Sequence, residues 1–74
     1  MIRHLSDTRH AEGRVRFLLE AGRVLLVAEG SGWNHRSAHA TLERAALHLA
    51  LLPRVSQTLY ESAIEELERA GAGG

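Results

Sequence analysis

Residues 37–52 read SAHATLERAALHLALL, the longest apolar-rich run of the chain. On a helical wheel at about 100° per residue this run is apolar on two sides. Ala38, Leu42, Ala45, Ala46, Leu49 and Leu52 form a wide stripe, and Ala40, Leu47 and Leu51 form a second one opposite. His39 and Glu43 occupy one polar seam between the stripes, and Ser37, Thr41, Arg44 and His48 the other. A surface helix needs one apolar face, whereas one that is apolar nearly all round is buried. The run therefore predicts a central helix over Ser37–Leu52, covered on one side by this chain and on the other by a second copy through Ala40, Leu47 and Leu51.

Upstream, GRVRFLLEAGRVLLVAE (residues 13–29) predicts a β-hairpin. Val15, Phe17 and Leu19 alternate with Arg14, Arg16 and Leu18; Val24, Leu26 and Ala28 alternate with Arg23, Leu25 and Val27. Ala21-Gly22 has the length of a two-residue hairpin turn, and glycine adopts φ > 0 without strain. Glu20 and Arg23 then face each other as a cross-strand pair. The competing reading is a helix over residues 6–21, since Ala11, Val15, Leu18 and Leu19 also fit helical spacing and Gly22 would serve as its C′ residue. Gly13 weakens that helix by about 1 kcal/mol relative to Ala, and the hairpin is the preferred reading. Residues 1–12 are polar and weakly periodic, which predicts a flexible arm, with a strand edge at its end as the alternative. Residues 30–36, GSGWNHR, predict a loop, with Asn34 or Ser37 as cap of the helix that follows.

Downstream, Pro53 ends the central helix. Val55, Leu59, Tyr60, Ala63, Ile64, Leu67 and Ala70 share one half of a second wheel, predicting a helix whose regular part starts at a Thr58/Glu61 capping box. Residues 71–74, GAGG, read as a flexible tail. The predicted architecture is thus an α+β domain over residues 13–70: a β-hairpin followed by two α-helices, dimerising through the apolar central helix or the sheet edge.

Seventy-four residues make one small domain with no cysteine, so neither disulfides nor cysteine-bound zinc can staple it. Chains of this size are marginal alone, and a partner copy is the remaining remedy. No segment reaches the roughly 18 apolar residues of a membrane span, and MIRHLSDTRH lacks the apolar core of a signal peptide. A soluble cytoplasmic protein is expected. The net charge is zero but unevenly spread. Residues 1–54 carry eight arginines against five carboxylates, and residues 55–74 carry Arg69 against four glutamates.

Candidate chemistry is sparse. With a single Asp, no Cys and no serine placed with a His–acid pair, no enzyme is expected. Gly30-Ser31-Gly32 is too short for a phosphate-binding signature. His35, His39 and Glu43 recur every four residues, the spacing of ligands on one helical face, but no fourth ligand accompanies them. Neither a metal nor a cofactor is expected. Trp33, Asn34, His35 and Arg36 place an aromatic beside an amide and cationic groups, a set that stacks on bases and binds phosphates. Arg14, Arg16 and Arg23 would extend that patch over the hairpin. The alternative for Trp33 is that it folds back to plug the core.

The hairpin, glycine-containing loop and long Ala/Leu helix are carried by AEGRVRFLLEAGRVLLVAEGSG (residues 11–32) and SAHATLERAALHLAL (residues 37–51). This order resembles the second half of the ribosome hibernation-promoting factors and the small actinobacterial stress proteins that share their double-stranded-RNA-binding-like fold. The resemblance implies strands packed on one helix face, dimers, and binding to structured RNA or the ribosome. The leading expectation is a non-enzymatic RNA- or ribosome-associated module using Arg14, Arg16, Arg23, Trp33, His35 and Arg36. The alternative is a protein-interaction module (a small regulator, an antitoxin-like subunit or a phage-type inhibitor) working on a host or cognate protein through its apolar helix and acidic C-terminal helix. A third reading rests on Gly73-Gly74, the ending of ubiquitin-like carriers and double-glycine leaders; such a carrier needs strands where a second helix is expected here.

Overall fold

The structure, a computed structural model, describes residues 2–71. In chain order the elements are β1 (Ile2–His10), β2 (Gly13–Glu20), β3 (Arg23–Gly30), β4 (Trp33–His39), α1 (Leu42–Leu51) and α2 (Gln57–Gly71). The strands form one antiparallel sheet in the order β1-β2-β3-β4. Both helices lie on the same face, α2 over β1 and β2, α1 over β3 and β4. No helix among the described residues is long and apolar enough to cross a membrane.

The expected hairpin is present as β2 and β3, with residues 13–20 strand rather than helix. Phe17 pairs with Leu26, Val15 with Ala28 and Leu19 with Val24, so the apolar members of the alternation share the helix-covered face. Ala21 and Gly22 form the turn with φ of 51° and 78°. Two consecutive positive values are those of a type I′ turn, whose twist matches that of the strands. Glu20 and Arg23 stand opposite each other, with no ion pair within 4.0 Å between them.

The ends of the sheet correct two expectations. Residues 2–10 are not a flexible arm but the edge strand β1, paired along β2 with a bulge between His4 and Ser6. Its inward residues, Ser6 and Thr8, are polar yet only 7% exposed, so no apolar alternation announces the strand. Residues 33–39, read as a loop running into a helix, form β4. Only Ser31-Gly32 remains as turn, with Gly32 at φ 75°. Consequently α1 begins at Leu42, and its cap is neither Asn34 nor Ser37: Thr41 Oγ1 accepts from the Arg44 N–H at 3.1 Å. Likewise α2 starts before the expected capping box, because Ser56 Oγ accepts from the Leu59 N–H at 3.1 Å and donates to the Glu12 carboxylate. Gly71 closes α2; residues 72–74, including Gly73-Gly74, lie outside the described residues.

The core is one cluster in which Val15, Phe17, Leu26, Ala28, Ala45, Leu49, Leu59 and Ala63 are fully buried. Burial of each large side chain there contributes about 1.5–3 kcal/mol. Gly13 lets α2 come this close, since a Cβ on it would lie 2.5 Å from the Glu29 carbonyl oxygen and 2.9 Å from Leu59 Cδ2. Gly13→Ala should therefore lower unfolding stability by about 1–3 kcal/mol in urea titration. Ala21→Asn should raise it by about 0.5–1 kcal/mol, because Asn tolerates the left-handed region that costs Ala.

Candidate functional site

Strand alternation divides the chain's polar chemistry between two faces. The face away from the helices carries Arg14, Arg16, Leu18 and Glu20 from β2, Arg23, Leu25, Val27 and Glu29 from β3, and Asn34, Arg36 and Ala38 from β4. Leu18 pairs with Leu25, and Leu25 with Ala38, giving an apolar strip across its middle. Two of its arginines are held by carboxylates. Arg14 grips Asp7 through two hydrogen bonds of 2.9 and 2.7 Å, and Arg16 reaches Glu29 at 3.2 Å. The Arg14 hydrogen bond holds the Asp7 carboxyl below its ordinary value, against a smaller opposing effect of burial. Arg23 and Arg36 are exposed and form no ion pair among the described residues.

Trp33 and His35, expected in one patch with those arginines, lie on the opposite face. Trp33 pairs with Gly30 and lays its indole over it: a Cβ on Gly30 would sit 2.6 Å from Trp33 Cε2. The ring packs half-buried against the core, as the plug reading has it. Arg14, Arg16, Arg23 and Arg36 thus share one face, and Trp33 and His35 the other.

The helix face of β4 holds the densest polar cluster. His35, Ser37 and His39 alternate inward, and His48 of α1 rests on both rings. Its ring centroid is 5.0 Å from that of His35, the planes inclined by 29°, and 4.8 Å from that of His39, inclined by 47°. Ser37 Oγ lies between the two strand histidines, 3.0 Å from His35 Nε2 and 2.7 Å from His39 Nε2. The hydroxyl, with one proton and two lone pairs, bridges the two rings, and their tautomers set which atom donates in each contact. Burial first, and the neighbouring His48 second, lower the His35 and His39 values below the ordinary imidazole value.

Glu43, the third member of the four-residue spacing, lies elsewhere, beside Leu42, Ala46, Ile64, Leu67 and Glu68 in a groove between α1 and α2. His35 and His39 sit on a strand, so helical spacing does not bring Glu43 to them. No group among the described residues has the arrangement to hold a metal ion. Ser37 and His39 form a hydroxyl–imidazole pair, but among the described residues no carboxylate hydrogen-bonds to any ring of the cluster. A triad's orienting acid is not in place. Sequence reading missed the role of His48; two histidines at i and i+4 on one strand would have pointed to it had residues 33–39 been recognised as β.

The other expected contact residues lie outside. Leu47 is 57% exposed and Leu51 72%, and Ala40 is exposed in the turn before α1. Leu51 follows His48 by three residues, which sets it on the flank of α1 that overhangs β4. Beyond that flank runs the unpaired edge of β4.

Comparison with known protein families, with curated proteins and with solved structures finds no match in any of the three. The packing of the single tryptophan is open to direct test. Gly30→Ala should push the indole off its seat and shift its fluorescence to longer wavelength, with a stability loss of about 1–3 kcal/mol; an unchanged spectrum would contradict this packing.

Proposed function

We propose that this chain is a non-enzymatic protein-interaction module that pairs with a second copy of itself along β4 and the adjoining flank of α1. The observation that carries the reading is the 72% exposure of Leu51, with Leu47 at 57%, beside a sheet edge without a partner. An exposed leucine alone is ordinary. Two of them one turn apart, next to a row of free backbone N–H and C=O groups, form the surface that strand addition uses.

The edges differ. A bulge between His4 and Ser6 interrupts β1, whereas β4 pairs without interruption over Trp33–His39. Antiparallel pairing of β4 with its own copy is two-fold and closes on itself, leaving no open chain of copies. A standard interface buries about 800 Å² per partner, a modest share of the 4952 Å² this chain exposes. Pairing would cover the leucine stripe and extend a small core that no disulfide supports.

Light scattering on a sizing column tests this. The wild type should run at twice the monomer mass of 8.1 kDa, and Leu51→Glu and Leu47→Glu should run as folded monomers. A folded, still dimeric Leu51→Glu protein would overturn the assignment. The same column run with structured RNA at low and moderate salt tests the other reading. Arg23 and Arg36 are the cations of the open face without a carboxylate partner, and phosphate binding through so few charges falls only gently with salt. A monomer that shifts onto RNA at low salt would replace self-pairing with RNA contact through that face.

A further inference from the structure

His35, His39 and His48 form the contact between β4 and α1. We propose that this seam is a pH-sensitive latch: proton uptake by its strand imidazoles, His35 and His39, drives α1 off β4, in the single chain and independently of self-pairing.

The geometry makes the seam depend on uncharged rings. His48 stacks on His35 at 5.0 Å and on His39 at 4.8 Å, so every added proton sets a cation against its neighbours. The Ser37 hydroxyl joins His35 and His39 in one hydrogen-bonded chain. With both rings protonated, both Nε2–H groups donate and Ser37 Oγ can only accept from them, so the bridge is restricted to one arrangement between two cations.

Among the described residues, the surroundings supply no counter-charge. The β3 residues opposite His35, Ser37 and His39 are Ala28, Leu26 and Val24. On α1, Arg44 precedes His48 by one turn. After α1, Arg54 lines a cleft with Trp33, His35 and Leu52. Glu29 is on the far face of the sheet, bound to Arg16, and Glu43 faces the groove towards α2. Among the described residues, no carboxylate forms a hydrogen bond or ion pair with these imidazoles.

The sign follows from the direction of the shifts. In the folded chain His35 and His39 are lowered from 6.5, so the unfolded or unlatched seam binds protons more readily. Its contribution is complete above about pH 6.5 and is lost as pH falls through the lowered folded values.

The one tryptophan reports on the latch. Trp33 shares its cleft with Leu52 and Pro53 at the end of α1, so departure of the helix wets the indole. Its emission should shift to longer wavelength between about pH 7 and pH 5, reversibly, and His48→Phe should move that transition to lower pH or abolish it. Emission that stays constant to about pH 5 in the wild type, or an identical transition in His48→Phe, would overturn the latch. Proton NMR of the wild type decides the matter even if His48→Phe does not fold. His35 and His39 should titrate below the ordinary imidazole value of 6.5; titration of both at or above that value would overturn the proposal.

Discussion

Phe17 and Leu26 face each other across the two central strands, and both are fully buried. The rest of the fold is arranged to keep water off that pair. Leu49 from α1 and Leu59 from α2 complete the same cluster, one helix for each half of the sheet. A sheet of four strands is wide for two helices of 10 and 15 residues. Cover is close over β1, β2 and β3, where Ser6, Thr8, Val15, Phe17, Val24, Leu26 and Ala28 are buried, and thins at β4, whose inward residues are only part-buried. Under α2, the small residues Gly13, Ser6 and Thr8, facing Ala63 of the helix, let it sit close. At the other edge, α1 rests on histidines instead of leucines, a contact that holds by stacking and hydrogen bonding more than by apolar burial.

That asymmetry locates the chemistry. On the open face, carboxylates neutralise Arg14 and Arg16, and the field offered to a polyanion is weaker than the arginine count implies. On the helix face of β4, the polar groups are gathered, shielded and without counter-ions. Next to them stand the exposed leucines of α1 and a free strand edge. A contact surface and a titratable seam thus share one rim of the molecule. Each follows from the same limit: two short helices cannot cover a fourth strand fully.

Some of this was legible in the residues. The β2–β3 hairpin shows in the alternation around Ala21-Gly22, and α2 shows in the spacing from Val55 to Ala70. The edge strands do not show, because their inward residues are polar: Ser6 and Thr8 in β1, His35, Ser37 and His39 in β4. Ala38 and Ala40 fit a helical stripe as readily as a strand and drew the start of α1 too far upstream. A different signal was available. Ala11-Glu12, Ala21-Gly22 and Ser31-Gly32 recur at intervals of ten residues, the spacing of turns in an antiparallel meander. Reading them together would have given four strands. It would also have split Trp33 and His35 from the arginines, since strand alternation sends them to opposite faces.

Hydrogen exchange along β4 is the most direct test of the paired-edge account. In a lone chain, the β4 amides that point away from β3 are open to solvent; in a self-paired sheet they are hydrogen-bonded. Their exchange should slow as protein concentration rises, while that of the bulged β1 edge stays the same. Equally fast exchange of the outer β4 amides at every concentration would contradict pairing through this strand.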